Sequence, residues 1–366
     1  MCLSLRNCNV DSKKIRILIV DDSVLFRSQI QLAFKDVPGI EIVGTASNGK
    51  IAIAKMRQQD IDVCILDIEM PELDGIATLK EMKTLGLKTK AIMFSTLTLA
   101  GAEKTLEAMK LGAVDFCPKP QPDQTNLSPA SKILDSLLPK ILSLFSGEDL
   151  AHRSAHPPKT PLPFKWNLFI PQVLVIASST GGPNALTEFF GHLKEDLPFP
   201  ILVTQHMPPL FTASLAERLG FHSGKVSREA VDGEILLPNR IYVAPGNYHM
   251  SIAGDWKRPR ISLTQGPLRN FVRPCADFLF ESAASIYGKG TLGIVFTGMG
   301  RDGAAGAAEI KKNCGAILIQ SQESCVVFGM PGAVYDEGHF DFTGNPRELA
   351  QKTLTISRPK RGSYVA

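Results

Sequence analysis

No apolar run in this sequence approaches the roughly 18 residues that a membrane helix requires, and its N-terminus lacks the apolar core of a secretory signal. A membrane protein and an export route are therefore not expected, and the cytoplasm is the expected location. Charge of one sign is scarce as well: 40 Lys and Arg against 36 Asp and Glu leave a net +4 over 366 residues. That balance offers no electrostatic footprint for nucleic acid or a lipid surface, and Arg358, Lys360 and Arg361 read as a solvated tail. The seven cysteines (Cys2, Cys8, Cys64, Cys117, Cys275, Cys314 and Cys325) are an odd number without CxxC spacing. Free thiols in a reducing compartment fit better than a disulfide framework or a zinc site.

What is present describes an ordinary globular protein, 44% hydrophobic and 21% charged. The length exceeds one ordinary core, so two domains are expected. Composition and periodicity divide the chain into a leader (1–13), a first domain (14–125), a linker carrying an amphipathic helix (126–170), a second domain (171–355) and a basic tail (356–366).

In the first domain, apolar strand candidates at Arg16–Val20, Glu41–Ala46, Ile61–Leu66, Lys90–Phe94 and Ala113–Cys117 alternate with helical patterns. Such alternation calls for a doubly wound parallel sheet, in which all strand ends of one kind share an edge. Asp21, Asp22, Asp67, Ser95 and Lys119 each follow a strand's carboxyl end. Close carboxylates repel one another, and a hard divalent ion such as Mg²⁺ turns the arrangement favourable. An aspartate beside that ion can accept a phosphoryl group while the metal and a lysine neutralise its charge. Any one of these residues taken alone is equally well read as a strand-end cap or a solvated turn; five at the right strand ends are not.

These residues, with Met70-Pro71, Asp74-Gly75, Gly112-Ala113 and Phe116, resemble the response-regulator receiver family. The resemblance implies Asp67 as phosphoacceptor, Asp21 and Asp22 as Mg²⁺ site residues, Lys119 as phosphate partner, and Ser95 with Phe116 as the switch pair. In the linker, prolines punctuate 120–163, and residues 147–165 read as flexible. Ile133, Leu137, Ile141 and their neighbours repeat at helical spacing, with Pro139 expected to kink or split the run. That helix reads as a cover for a sheet edge or domain interface, with a partner-binding helix as the alternative.

In the second domain, strand candidates at 173–177, 201–205, 240–244, 292–296 and 316–320 predict another doubly wound sheet, with an antiparallel insertion around Tyr248–Leu263. Ser178-Ser179-Thr180 follows the first strand, Gln205-His206-Met207 the second, and Thr297-Gly298-Met299-Gly300-Arg301-Asp302-Gly303 another. A serine hydroxyl needs a base within reach, and the base needs orienting. His206 and Asp302 suit those roles, and backbone N–H groups of the glycine-rich turns suit an oxyanion. Each has a plainer reading: Ser179 as a cap for the helix at Pro183, His206 as a satisfied strand-end residue, Asp302 as a brace for its turn. Ala177 also stands where a G-x-S-x-G elbow has its first glycine. At Gly181-Gly182 no G-x-G-x-x-G marks a dinucleotide site.

Ser179 to Pro183, Gln205 to Pro208, Asp232-Gly233-Glu234, Ala244-Pro245-Gly246, His249-Met250, Thr297 to Gly303 and Val327 to Pro331 together resemble the chemotaxis protein-glutamate methylesterases. The resemblance implies a phosphorylation-activated serine hydrolase that cleaves glutamate γ-methyl esters on methyl-accepting chemotaxis receptors, releases methanol and deamidates receptor glutamines. It implies Ser179, His206 and Asp302 as catalytic residues, Met299 at the oxyanion site with Thr180 beside the nucleophile, and a chemotaxis histidine kinase as phosphodonor. The esterase reaction itself needs no cofactor. Ala177, Val272, Ser321 and Gly332 depart from the family pattern, and none of them removes a catalytic group. A receiver-gated binding protein without catalysis is the reading from a different class.

Overall fold

The structure is a computed structural model that describes residues 14–121, 127–149 and 164–358. The expected leader, residues 150–163 of the expected flexible stretch, and Lys360 and Arg361 of the tail lie outside the described residues. Contacts divide the chain into two compact units, Met1–Leu142 and Ser143–Ala366.

The first unit alternates β1 (Ile15–Val20), α1 (Val24–Phe34), β2 (Ile40–Ala46), α2 (Gly49–Gln58), β3 (Val63–Asp67), α3 (Gly75–Thr84), β4 (Lys90–Ser95), α4 (Leu99–Leu111), β5 (Asp115–Pro118) and α5 (Pro129–Asp149). All pairings are parallel, in the order β2-β1-β3-β4-β5. The central β3 is buried along its whole length, as strands covered on both faces must be. Ser23, Asn48, Asp74 and Thr98 start the first four helices by accepting a backbone N–H from the first turn. The order reverses between β1 and β3, which opens a crevice at their carboxyl ends.

The amphipathic helix assigned to the linker is α5, and most of it belongs to this first unit, which runs past residue 125 to Leu142. Ile133, Leu137 and Ile141 are buried on one face, and Lys140 Nζ lies 2.7 Å from Asp115 Oδ2 of β5. The helix is one element through Pro139 and does not split there. The carbonyl that Pro139 leaves without its usual donor is that of Asp135, an exposed residue where water can take the bond.

The second unit comprises β6 (Val173–Ser178), α6 (Gly182–His192), β7 (Ile201–Gln205), α7 (Phe211–Ser223), β8 (Val226–Glu229), β9 (Arg240–Val243), β10 (His249–Ala253), β11 (Arg260–Thr264), α8 (Ala276–Tyr287), β12 (Thr291–Val295), α9 (Ala304–Lys312), β13 (Ala316–Gln320), α10 (Met330–Glu337), β14 (Phe342–Gly344) and α11 (Pro346–Ser357). Seven parallel strands run in the order β14-β13-β12-β6-β7-β9-β8, and β10 with β11 forms the expected antiparallel insertion. Val173, Val175 and Ala177 of β6 pack in one core with Leu279, Phe280 and Ala283 of α8. Phe189, Phe190 and Phe296 form edge-to-face pairs at 5.1 and 5.3 Å.

Two edge strands, β8 and β14, escape the sequence reading. The first is Val-Ser-Arg-Glu with alternating exposure, and the second is only three residues long. Neither is apolar enough to announce itself. The tail also begins later than residue 356, because Ile356 is a buried residue of α11 and Arg358 pairs with Glu195 at 2.6 Å.

Candidate active site

Two constellations stand at the two carboxyl edges. In the first unit, Asp21, Asp22 and Asp67 each offer a carboxylate oxygen within 4.8 Å of the others. Lys119 Nζ lies 2.7 Å from Asp67 Oδ2 and 2.9 Å from Asp21 Oδ2. Asp21 Oδ2 is buried and makes no hydrogen bond, its one close polar neighbour among the described residues being the Lys119 ammonium. An all-oxygen, acidic donor set with such an oxygen fits Mg²⁺. Ser95 is buried at the end of β4, and its hydroxyl is engaged by Thr105 Oγ1 at 2.8 Å. Phe116 is buried beneath Lys140, whose Nζ stands 5.8 Å from the ring centroid.

Burial pushes the Asp67 carboxyl up to about 6, against the opposing pull of Lys119 and with the repulsion of Asp21. Folding thus disfavours the ionised form relative to the unfolded chain. Its contribution to stability is present below the unfolded carboxyl value and is lost as pH rises towards 6. Asp67→Asn is expected to stabilise the Mg²⁺-free protein by about 1–3 kcal/mol near neutral pH and to change little near the unfolded carboxyl pKa of ~3.9. Thermal unfolding at the two pH values checks this; a variant destabilised at neutral pH would contradict it.

In the second unit, β12, β6 and β7 are adjacent, so the segments following them converge. The strand order reverses at β6, the position where open sheets form their binding crevice. Ser179 follows β6, His206 follows β7, and Asp302 closes the loop after β12. His206 Nε2 is 2.7 Å from Asp302 Oδ2. With Nε2–H donating to the carboxylate, Nδ1 is the basic nitrogen. Among the described residues the Ser179 hydroxyl makes no hydrogen bond, a looseness common in catalytic sites without substrate. Ser179 is half-buried and does not cap α6: that helix has Gly181 at its N-cap and no side-chain cap.

The turn at Ser179 is held from several sides. Ser178 Oγ donates to Gln205 Oε1 at 2.7 Å, and Gln205 Nε2 donates to the Ser179 carbonyl at 2.9 Å and the His206 carbonyl at 3.2 Å. One buried amide thereby ties together the two turns that carry Ser179 and His206. Gly182 has no room for a side chain, since a Cβ there would stand 2.1 Å from Gln205 Oε1. Gly298 is equally confined, its Cβ position lying 2.7 Å from Ser179 Cβ. The next residue, Met299, is partly exposed, and among the described residues its N–H has no acceptor. Thr180 is buried, and its carbonyl accepts from Thr297 Oγ1 at 3.0 Å.

Asp302 sits at the N-terminus of α8, where Ala276 N–H and Asp277 N–H donate to it at 2.6 and 3.2 Å. Cys275 Sγ, Asn270 Nδ2 and Gly303 N–H add bonds of 2.9, 3.0 and 3.0 Å. Burial opposes its charge, but His206, Cys275 and Ala276 outweigh that and hold the carboxyl well below the usual carboxylate range. The adjacent Asp277 is pushed the other way, by burial and then by the charge of Asp302. Asp302 does brace Gly303, so the plainer reading of this residue is also true, but the carboxylate does more.

Asn270, Cys275 and Asp277 complete the site without having been read as site residues, and Gln205, quoted only as part of the strand-end motif, has a bridging role that the sequence did not disclose. Of the three, Asp277 leaves a trace, as an acid in the first turn of a helix. Asn270 and Cys275 lie in a loop without periodicity, and their bonding is visible only in three dimensions.

The fold and the two constellations define a receiver-type α/β unit and a hydrolase-type α/β unit in one chain. Residues 17–130 match the response regulator receiver domain, and residues 174–353 match the CheB methylesterase family. A protein-glutamate methylesterase/protein-glutamine glutaminase of Nocardioides sp. is 40% identical over 96% of this chain and 98% of its own length. A second such protein, from Caulobacter vibrioides, is 42% identical over 96% and 98% of the two chains. The solved catalytic domain of the Thermotoga maritima CheB methylesterase is 39% identical, with a TM-score of 0.50, and covers 51% of this chain and 98% of that one. This chain belongs to the protein-glutamate methylesterase/protein-glutamine glutaminase family and is an enzyme with a response-regulator receiver domain. Among the described residues, no helix is long and apolar enough to cross a membrane.

Proposed function

We propose that this enzyme hydrolyses glutamate γ-methyl esters on methyl-accepting chemotaxis receptors, releasing methanol, and that phosphorylation of Asp67 raises the rate. The observation that carries the reading is the convergence of Ser179, His206 and Asp302 after three adjacent strands, with the imidazole held on the carboxylate at 2.7 Å.

Ser179 Oγ attacks the ester carbonyl carbon while its proton passes to His206 Nδ1. The carbonyl oxygen becomes an oxyanion, for which the unengaged Met299 N–H is a donor. Asp302 keeps the proton on Nε2 and stabilises the imidazolium. The tetrahedral intermediate collapses, the C–O bond to the methoxy group breaks, and methanol leaves with the proton from Nδ1. Water then attacks the acyl-enzyme, gives its proton to His206, and frees glutamate and the Ser179 hydroxyl. With a glutamine side chain the same steps release ammonia, which supports deamidation at the same site.

In the receiver, an Asp67 oxygen takes a phosphoryl group from a chemotaxis histidine kinase or a small phosphodonor. Lys119, already 2.7 Å from that carboxylate, is placed to pair with the new charge. Mg²⁺ bound by Asp21, Asp22 and Asp67 supplies charge neutralisation. On this reading Ser95 exchanges its bond with Thr105 for one to the phosphate.

The test is methanol release from methylated receptor with and without acetyl phosphate and Mg²⁺. The wild type is expected to accelerate, whereas Asp67→Ala keeps the basal rate and loses the stimulation. No methanol from the wild type would end the esterase reading. Stimulation that survives in Asp67→Ala would end the control reading alone.

A further inference from the structure

Beside the site, the chain turns tightly at Arg269-Asn270-Phe271-Val272, with Val272 N–H donating to the Arg269 carbonyl at 3.1 Å. Both central residues have positive φ, 55° at Asn270 and 63° at Phe271. Turns of this kind favour Asn-Gly, because glycine adopts the second conformation without strain. Asn270 is explained: asparagine tolerates positive φ, and its amide donates to Asp302 at 3.0 Å and Asp277 at 2.8 Å.

Phe271 has no such account. It is 95% exposed, so its ring adds nothing to the core, and it stands in a backbone conformation that a bulky residue resists. Every folding criterion favours glycine at this position. The turn is also rigid. Arg269 is clamped to Glu281 by two hydrogen bonds of 2.6 and 2.7 Å, and its guanidinium lies 5.2 Å from the Phe278 ring. An aromatic ring is thus held in solvent on a fixed turn, one residue from a side chain that touches Asp302. Close to the nucleophile in the chain or in space, Met299 and Val326 are also partly exposed. Val326 lies against the Ser179 turn, its Cγ2 2.6 Å from the Cβ position of Gly181.

We infer that Phe271 is a substrate-specificity residue: an aromatic anchor for an apolar side chain of the substrate protein, borne by the segment that carries the glutamate ester. The inference rests on the esterase reading above. An ester on a protein brings its flanking residues to the rim when it reaches half-buried Ser179, and a pre-set aromatic side chain gains contact area there at little entropic cost. The anchor acts in binding, so its loss raises KM for the protein substrate and leaves the chemistry at Ser179 intact.

The experiment compares full-length wild type with Phe271→Ala, Phe271→Gly and Phe271→Trp. Methanol release from methylated receptor gives KM and kcat, a serine-reactive fluorophosphonate reports the labelling rate of Ser179, and thermal unfolding reports the turn. Phe271→Ala and Phe271→Gly are expected to raise KM about tenfold, the loss typical of an interface anchor, with kcat and labelling unchanged. Phe271→Trp is expected to keep KM near that of the wild type, and Phe271→Gly to melt no lower than wild type. An unchanged KM in Phe271→Gly overturns the proposal. So does a loss of labelling that parallels the loss of activity, since Phe271 then only shapes Asn270 and Asp302. A wild type that neither labels nor releases methanol overturns the esterase reading and the anchor with it.

Discussion

Replacing Ser179 with alanine is expected to reduce methanol release from methylated receptor by on the order of 10⁴- to 10⁶-fold, the scale seen when a triad nucleophile is removed. Its hydroxyl makes no hydrogen bond among the described residues, and the turn is held instead by Gln205 and by the Ser179 N–H on the Thr297 carbonyl at 3.0 Å. Removing one oxygen therefore costs the fold little. The melting temperature should stay within a degree or two of wild type, as expected where no stabilising contact is lost. Fluorophosphonate labelling should vanish, while phosphoryl uptake at Asp67 from acetyl phosphate continues. A Ser179→Ala enzyme that still releases methanol at more than a hundredth of the wild-type rate would remove Ser179 from the role of nucleophile.

The second large effect is expected at Asp302. Asp302→Asn should lower kcat by about 10⁴-fold, because an amide no longer holds the proton on His206 Nε2. Unlike Ser179→Ala, it should also destabilise the protein. Every group bonded to the carboxylate is a donor: His206 Nε2, Asn270 Nδ2, Cys275 Sγ, and the N–H groups of Ala276, Asp277 and Gly303. An asparagine must aim its NH₂ at one of these donors, leaving buried groups unpaired at about 1–3 kcal/mol. The pH dependence carries the same signature. The Asp302 carboxyl is depressed on folding, so its stabilisation is fully present above the unfolded carboxyl value and is lost as pH falls through the folded one. The wild type should lose that increment in acid, whereas Asp302→Asn has already lost it at neutral pH. Steady-state kinetics and unfolding curves across pH check both parts. An Asp302→Asn enzyme within tenfold of wild-type kcat would show that His206 is oriented by something else.

Much of this was legible in the chain because a buried parallel strand must be apolar throughout, and its ligand-bearing residues must follow it. Val173–Ser178, Ile201–Gln205 and Thr291–Val295 announce themselves in this way, and Ser179, His206 and Asp302 follow from them. The same logic exposes Asp21, Asp67 and Lys119. Illegible were elements whose reasons lie elsewhere in the chain. The short edge strands β8 and β14 depend on a neighbour's free edge. The helix at Pro129–Asp149 was legible from its spacing, but its continuity through Pro139 was not, because burial of Ile133, Leu137 and Ile141 holds it together and local propensity does not register that.

Ala177 illustrates the same division. Its methyl faces the Gly303 turn, 3.4 Å from the Cβ position there, and Ala276 stands 3.8 Å from that position on α8. It belongs to the core behind the site. Its departure from the G-x-S-x-G elbow is a matter of packing between β6 and the Asp302 loop.

By itself the sequence determined the alternation of elements, the two parallel sheets, and which polar residues stand at their carboxyl edges. These are consequences of local pattern, since periodicity and strand-end position are properties of a few consecutive residues. The tertiary structure alone decided that β12, β6 and β7 are neighbours and that Gln205 bridges the Ser179 and His206 turns. It alone decided that Asn270, Cys275 and the start of α8 hold Asp302, and that Phe271 stands exposed. Those are facts of adjacency between residues far apart in the chain, and adjacency is set by how the whole core packs.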